Sequence, residues 1–389
     1  MLTRSGWGAI ALAIAAFVIG RVFGIVELFV LGAGIGAAIL VAVVTLSRTP
    51  PRLAVRRLID PSTVQAGDAA RVDIQIANAG SRRSPVVQLW EPVGSSGGAT
   101  MNLAPLRPRE RSTAAYRLPT SGRGIVRVGP MRARRRDVLG LASRTFVIPG
   151  SSELLVMPQH HPVRFALGGS SGRLGDHLRL KAHGQSGSEF HSLREYVQGD
   201  DLRRISWKAS ARSNDLIVKE TALEGVKRCS VVLDTDAGAY DSDGFERAVS
   251  AAASLVTGAA AAGLNTRLVA LDTDLRGHDV APIALRWLAT VQPGDHAGGV
   301  MPPLKSGEGL GLVVLVTSTA ASARAAEMRS SIGPEDTLVV VTSQSGAAVR
   351  GTRFVVDAST PDAFAESWAA LTGNLAGGPR LPSAYEAVG

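Results

Sequence analysis

Acidic and basic side chains alternate densely between residues 187 and 220. Glu189, Glu195, Asp200, Asp201, Asp215 and Glu220 stand among Arg194, Arg203, Arg204, Lys208, Arg212 and Lys219, with Tyr196 and Trp207 interleaved. Paired carboxylates can work as general acid and base when their surroundings separate their pKa values, so Glu189, Glu195, Asp200 and Asp201 define one candidate chemistry, a carboxylate-dependent hydrolase. Every one of these acids has a basic neighbour, and no convincing nucleophile or metal cage accompanies them. The balance of signs suits a paired ion network, buried or at an interface.

A second set of oxygens follows the apolar runs of the C-terminal part: Asp234 and Asp236, then Asp272, Thr273 and Asp274, then Thr317 and Ser318, then Thr342 and Ser343. Hard cations such as Mg take several oxygen ligands, which makes Asp234 and Asp236 candidate ligands of a divalent cation. Carboxylates that cap turns and helices are the favoured reading of the same residues. His160, His161, His177, His183 and His191 crowd one stretch, but their spacing lacks the i, i+4 pair of a helical zinc site. Gly168, Ser170 and Gly172 match Gly-x-Ser-x-Gly without the strand before and helix after that a nucleophile elbow requires. No Gly-x-Gly-x-x-Gly follows the first of these strands and no Gly-Lys-Ser/Thr occurs, so dinucleotide and P-loop chemistry lack their phosphate loops. Cys229 is the only cysteine, which excludes an intrachain disulfide and a Cys-x-x-Cys redox pair.

The elements that would position these groups are legible from periodicity. From Cys229 onward, near-continuous Val and Leu runs alternate with helical stretches at 245–262, 283–291, 320–330 and 362–371, the pattern of a doubly wound α/β sheet buried on both faces. Ligands of such sheets bind beyond the carboxyl ends of the strands. Upstream, Val72, Ile74 and Ile76 alternate with polar residues, and further strands are expected at 86–90, 113–118, 124–128 and 144–148. A small antiparallel, immunoglobulin-like β-sandwich follows from them. The chain opens with two uncharged stretches, 5–20 and 28–47, joined through Arg21 and Glu27. Two spans in a helical hairpin are expected, with Gly20, Gly24, Gly32, Gly34 and Gly36 allowing close contact. Arg4 on one side and Arg48, Arg52, Arg56 and Arg57 on the other put both ends in the cytoplasm. A cleaved signal peptide at 1–20 would reverse that topology.

The expected organisation is therefore two transmembrane helices at 1–48, a β-sandwich at 49–150, a linker with the charged run at 151–228, an α/β domain at 229–376 and a flexible tail at 377–389. The net charge of +9 is concentrated in arginines before residue 140, including Arg123, Arg127, Arg132, Arg134, Arg135 and Arg136. No nucleic-acid reading motif accompanies them, and a juxtamembrane basic cluster more simply faces the anionic headgroups of the bilayer.

The charged run resembles the signature of the bacterial family known as domain of unknown function 58. Gly187, Glu189, Phe190, Leu193, Arg194, Tyr196, Gly199, Asp200, Asp201, Arg203 or Arg204, Ile205, Trp207, Lys208, Ser210, Ala211 and Arg212 match it, while Ser206 stands where the family has Asp or Asn. Residues 123–142 resemble the segment that precedes this signature. The resemblance implies a von Willebrand factor type A-like C-terminal domain, whose metal loop Asp-x-Ser-x-Ser is reduced here to Asp234-Thr235-Asp236-Ala237-Gly238. It also implies a MoxR-type AAA ATPase as partner. The expected function is a non-enzymatic scaffold in the inner (cytoplasmic) membrane serving complex assembly or the cell envelope, with Glu189, Arg194, Tyr196, Gly199, Asp200, Asp201, Arg204, Trp207, Lys208 and Arg212 locking domains together or presenting a docking face. The alternatives are the hydrolase and an exported, metal-dependent adhesion module.

Overall fold

The computed structural model describes residues 2–47, 51–95, 97–165, 172–184, 190–198, 202, 205–213, 215–221, 226–277, 279–294, 310–346 and 351–373. The chain divides into two compact units, Met1–Met157 and Pro158–Gly389.

The first unit opens with helix α1 (Arg4–Phe23) and helix α2 (Val26–Ser47), both long and apolar enough to cross a membrane. Thr3 caps α1 by accepting from the Gly6 amide, and Gly24, at φ 68°, ends it in the left-handed conformation that glycine adopts without steric cost. The link between the helices is thus two residues, shorter than the charge pattern implies. Gly32 lies against the Phe17 ring, where a Cβ would stand 2.9 Å from the ring edge, and Phe17 meets Phe29 edge-on. Gly20 is also at the contact, whereas Gly34 and Gly36 face open space.

Ten strands come next: β1 (Leu53–Asp60), β2 (Thr63–Gln65), β3 (Arg71–Asn78), β4 (Val87–Val93), β5 (Gly97–Leu103), β6 (Arg111–Arg117), β7 (Gly124–Val128), β8 (Met131–Arg136), β9 (Ser143–Ile148) and β10 (Ser152–Met157). One sheet has the order β1-β3-β6; the other runs β2-β10-β7-β4-β8-β9 with β5 also on β4. Their inner faces share one core, in which Val72, Ile74 and Ile76 of β3 meet Val87 and Leu89 of β4 and Leu154 and Val156 of β10. All pairings are antiparallel except that of β10 with β2. The sandwich runs on through β10, past residue 150 where the sequence pattern ends it.

One inward position of β1 is charged. Arg57 Nε donates to Glu91 Oε1 at 2.5 Å, with side chains 3% and 0% exposed, and Tyr116 Oη donates to Glu91 Oε2 at 2.9 Å. Burial, and then the Glu91 charge, push the Tyr116 phenol far above its ordinary value, so it stays a donor. Arg57 Nη2 is buried without a hydrogen-bond partner. It lies against Gly129, where a Cβ would meet Gly150 O at 2.8 Å and Arg57 Nη2 at 3.3 Å. Arg57 therefore leaves the basic cluster that its sequence position suggests.

The second unit begins with an extended strap, 158–165, that is bonded to two helices further along the chain. After the strap come α3 (Arg173–Gly184), β11 (Phe190–Glu195), α4 (Trp207–Ser210) and β12 (Ile217–Thr221). Residues 151–228, expected as linker and signature, are thus shared between the last strand of the sandwich and folded parts of the second unit. Then come β13 (Arg228–Leu233), α5 (Gly244–Ala261), β14 (Asn265–Ala270), β15 (Thr273–Arg276), α6 (Val280–Thr290), β16 (Gly311–Thr317), α7 (Ala323–Ser331), β17 (Asp336–Thr342), β18 (Val355–Asp357) and α8 (Pro361–Thr372). They form a mixed sheet, β15-β14-β13-β16-β17-β18, in which only β15 is antiparallel. Consecutive residues Val231, Val232 and Leu233 are all fully buried, so both faces of the sheet are covered. Ala325 and Met328 of α7 close over Val232, Val269, Val313 and Leu315.

Helix α5 is buried nearly all round. The strap at 158–165 covers it: Ser250 Oγ donates to Gln159 O at 2.5 Å, His161 N donates to Ser254 Oγ at 2.9 Å, and Gly258 admits Val163 where a Cβ would come within 2.5 Å of its carbonyl. Trp368 Nε1 of α8 donates to Arg164 O at 3.0 Å, and its ring meets Phe165.

Removing one partner of a buried ion pair strands the other without compensation, at a cost of about 3–5 kcal/mol. Arg57→Ala in the full chain is expected to lower the unfolding transition of the first unit by that order in calorimetry, while Tyr116→Phe, which leaves the pair in place, costs less. An unshifted transition in Arg57→Ala would show that the pair contributes nothing.

Candidate functional site at the carboxyl edge of the sheet

The order of the mixed sheet reverses at β13. The chain moves from β13 to β14 and β15 on one side, then returns to place β16 on the other. The crevice between the carboxyl ends of β13 and β16 is therefore the switch point at which open α/β sheets bind ligands. Asp234 follows β13 and Thr317 ends β16, and the two meet there.

Thr317 Oγ1 donates to Asp234 Oδ2 at 2.8 Å and stands 2.9 Å from Ser322 Oγ. A hydroxyl has one hydrogen, so with the first bond made, Ser322 is the donor in the second. Ser322 Oγ also caps α7 by accepting from the Ala325 amide. Asp234 Oδ1 accepts from the Asp236 amide at 3.2 Å, Asp236 Oδ1 accepts from the Gly238 amide at 3.1 Å, and Tyr240 Oη donates to Asp234 O at 2.7 Å. Beside this loop, Ser343 N donates to Thr317 O, and the Ser343 hydroxyl is buried without a partner. Arg247 Nε donates to Ser343 O at 2.9 Å and its Nη2 pairs with Asp241.

Burial raises the Asp234 carboxyl above its ordinary value, opposed by the Thr317 hydroxyl, the Asp236 amide and the charge of Arg324. Asp234 is 3% exposed and Thr317 0%. A hydroxyl–carboxylate pair this enclosed is not placed to attack a substrate. For a divalent cation, the carboxylate oxygens of Asp234 and one of Asp236 are already engaged as turn acceptors. Among the described residues no three His, Cys, Asp or Glu side chains gather. The donor set fits a loop lock better than a cation cage. Asp272 and Asp274 do not join it: Asp274 lies on β15 between Arg267 and Arg276, whose hydrogen bonds hold its carboxyl far below the usual range. Asp272 Oδ1 accepts from the Thr273 hydroxyl.

The charged run forms a second, separate surface of the same unit. Strands β11 and β12 pair antiparallel, Tyr196 N donates to Leu216 O, Ser206 N donates to Ile217 O and Ile217 N donates to Ser210 Oγ, so the strand pair and the short α4 fold together. Arg194, Glu195, Lys208, Arg212 and Asp215 are exposed and Tyr196 is half-buried. Trp207 is 69% exposed. In its described part the run is a solvated face rather than a buried ion network, because its side chains leave the strand pair and turn toward solvent. Glu189, Gly199, Asp200, Asp201, Arg203 and Arg204 lie outside the described residues.

The histidines do not converge. His160 Nδ1 lies by Pro158 O, His161 sits in the strap over α5, and His177 on α3 contacts Arg353 and the Phe354 ring. The side chains of His183 and His191 lie outside the described residues, as do Gly168 and Ser170. Periodicity pointed to Asp234 and Thr317 as strand ends but not to their bond, nor to Ser322 and Tyr240; the one local signal was Ser322 as the cap of α7.

A mixed α/β unit with a locked carboxylate at its switch point defines a fold and a place for ligands, not an activity. Residues 192–284, from β11 into α6, match the family model described as "Protein of unknown function DUF58". The chain is 26% identical over 211 residues to the "Uncharacterized protein YeaD" of Bacillus subtilis (strain 168), a match covering 51% of each chain. It thus spans about half the length of that relative. Among solved structures, the CARDB domain of PF1109 from Pyrococcus furiosus is 16% identical, covering 27% of this chain and 93% of that one at a TM-score of 0.20. The putative ApaA protein from Bordetella pertussis is 17% identical, covering 28% and 96% at 0.19. Likenesses at these scores carry no argument.

A folded-state carboxyl raised above its unfolded value binds its proton more tightly when folded, so stability falls as pH rises from the ordinary Asp range through the raised value. Asp234→Asn is accordingly expected to raise the melting temperature of the second unit at neutral pH, with the gain fading as pH is lowered toward about 4. A variant less stable than the parent at every pH would show that the carboxylate's hydrogen bonds outweigh its burial.

Proposed function

We propose that this chain is a membrane-anchored, non-enzymatic interaction protein whose second unit captures a partner through the described face of its charged run. The observation that carries this reading is the exposure of Leu193, Val197, Leu202, Trp207 and Leu216 within one short stretch. Large apolar side chains rimmed by Arg194, Lys208 and Arg212 have the composition of a docking patch, in which Trp and Arg are the residues that most often anchor binding. The resemblance of the run to its family signature suggests a MoxR-type AAA ATPase as the partner, in complex assembly or cell-envelope processes.

On the same reading α1 and α2 cross the inner (cytoplasmic) membrane as a hairpin, and both units lie on the cytoplasmic side. The α/β unit is of von Willebrand factor type A kind, with Asp234 as what remains of its metal loop; its enclosure with Thr317 supports a loop-ordering role. The hydrolase reading loses support because Glu195 is solvated and the buried hydroxyl–carboxylate pair is inaccessible. The adhesion reading would need the opposite topology and a fuller set of cation ligands.

Two measurements test the proposal. Full-length chain captured from membranes is expected to bring down the ATPase, and Trp207→Ala combined with Leu216→Ser to reduce recovery at least about tenfold, as for an anchor residue, without lowering the melting temperature. Recovery of no ATPase with the parent chain, or undiminished recovery with the variant, would count against it. Protease added to intact spheroplasts is expected to leave both units uncut; digestion would place them outside.

A further inference from the structure

The turn between β8 and β9 is built into the ends of the two apolar helices. Thr3 Oγ1, at the start of α1, donates to Gly140 O at 2.6 Å, and Arg144 Nη1 donates to Leu46 O at 3.2 Å and Ser47 O at 3.4 Å, the last carbonyls of α2. Ala142 packs on Ala42 and Leu46. Both contacts fall at the same end of the helical hairpin, where Trp7 is exposed in the manner of an interfacial aromatic. At the tip of this turn Val138 is 104% exposed and Leu139 65%, two apolar side chains with no cover.

Behind the tip the surface is basic. Arg134 and Arg136 are exposed, and Arg135 stands opposite Arg144 in the β8–β9 register, an arrangement of like charges that costs stability when nothing neutralises it. The Arg144 guanidinium is occupied by the helix carbonyls. Arg135 instead lines a cleft of about 740 Å³ together with Arg52, Arg82 and Arg83, and no acidic residue lines it. None of these four arginines forms an ion pair among the described residues. Arg52 follows Ser47 by five residues, at most about 18 Å of chain, and Arg135 lies two residues from the turn that touches the helix ends. The cleft is thus tethered to the membrane boundary from both sides.

We infer that this end of the β-sandwich docks on the bilayer that holds α1 and α2: Arg52, Arg82, Arg83 and Arg135 bind the phosphate headgroups of anionic phospholipids, and Val138 and Leu139 enter the acyl boundary beside the helix ends. The inference rests on the reading that both helices span. Guanidinium groups pair with phosphate oxygens in bidentate fashion, and each basic residue at an anionic surface strengthens binding about fivefold. Apolar side chains projecting from a basic surface are the usual means of interfacial seating. A nucleic acid would use the arginines but would leave the apolar tip and its helix-end anchorage without a role.

The test uses the full chain in nanodiscs of phosphatidylcholine alone or of equimolar phosphatidylcholine and phosphatidylglycerol. An environment-sensitive label is placed on Leu139→Cys, with Thr113→Cys on an exposed strand face as control; native Cys229 is fully buried, its thiol pushed up to about 12, and does not react. The label at 139 is expected to shift to the blue and to be shielded from iodide, unlike that at 113. Arg52→Glu, Arg82→Glu and Arg83→Glu together are expected to reduce the preference for phosphatidylglycerol among co-purified lipids at least about tenfold, with circular dichroism unchanged because all three residues are exposed. If the chain enters discs yet the label at 139 is as accessible as that at 113 and the triple variant keeps its lipid preference, the inference is overturned and the spanning reading stands. A chain that alkaline carbonate strips from membranes overturns both. Equal occupation of the cleft by inorganic phosphate in neutral discs would assign it to a free anion and overturn the lipid assignment.

Discussion

The constraint on which the α/β unit depends is the reversal of strand order at β13. Strands on either side of such a reversal send their following loops in opposite directions, and the crevice left between them must be closed by something other than the chain's own path. Here a hydroxyl closes it. Thr317, at the end of β16, holds the carboxylate of Asp234, at the end of β13, and Ser322 holds Thr317 while capping the next helix. One contact therefore fixes two strand ends, the loop through Asp236 to Tyr240 and the start of α7. Its enclosure excludes the role of an exposed nucleophile.

Each unit carries a charge where hydrophobic side chains would be less costly. The sandwich buries Arg57 with Glu91 and leaves Nη2 without a partner, while the α/β unit buries Asp234 and raises its carboxyl by desolvation. Buried ion pairs are seldom the cheapest way to fill a core. In the sandwich the pair reaches between the two sheets, from β1 to β4, with Tyr116 of β6 joining from the first sheet. The geometry of that bridge sets which faces meet, as a purely apolar contact would not.

Much of this architecture is visible in the amino-acid pattern, and the exceptions have physical causes. The Val-rich runs of β13, β16 and β17 read as buried strands because no other element tolerates such continuous β-branched sequence. The antiparallel β15 was hidden, since Thr273 to Arg276 is polar and is held at the sheet edge by Arg267, Asp274 and Arg276 rather than by packing. Strand β8 was equally obscure: MRARRR buries only Met131 and Ala133, and its arginines signal charge before they signal alternation. The basic clusters misled in one respect, because proximity in sequence says nothing about side in a strand. Arg56 and Arg57 are neighbours, yet one faces solvent and the other the core. The charged run announced a specific surface while its spacing could not say that Arg194, Trp207 and Arg212 project into solvent.

The strap over α5 has a mechanical meaning. It begins at Pro158, immediately after the last strand of the first unit, so any tension carried along the chain from the anchor reaches the α/β unit through this segment first. The load falls on the Gln159–Ser250 and His161–Ser254 hydrogen bonds and on Val163 seated against Gly258, before any strand of the sheet is pulled. Stretching the tether would uncover the outer side of an alanine-rich helix while leaving the sheet intact, which makes the strap the mechanical fuse of the molecule.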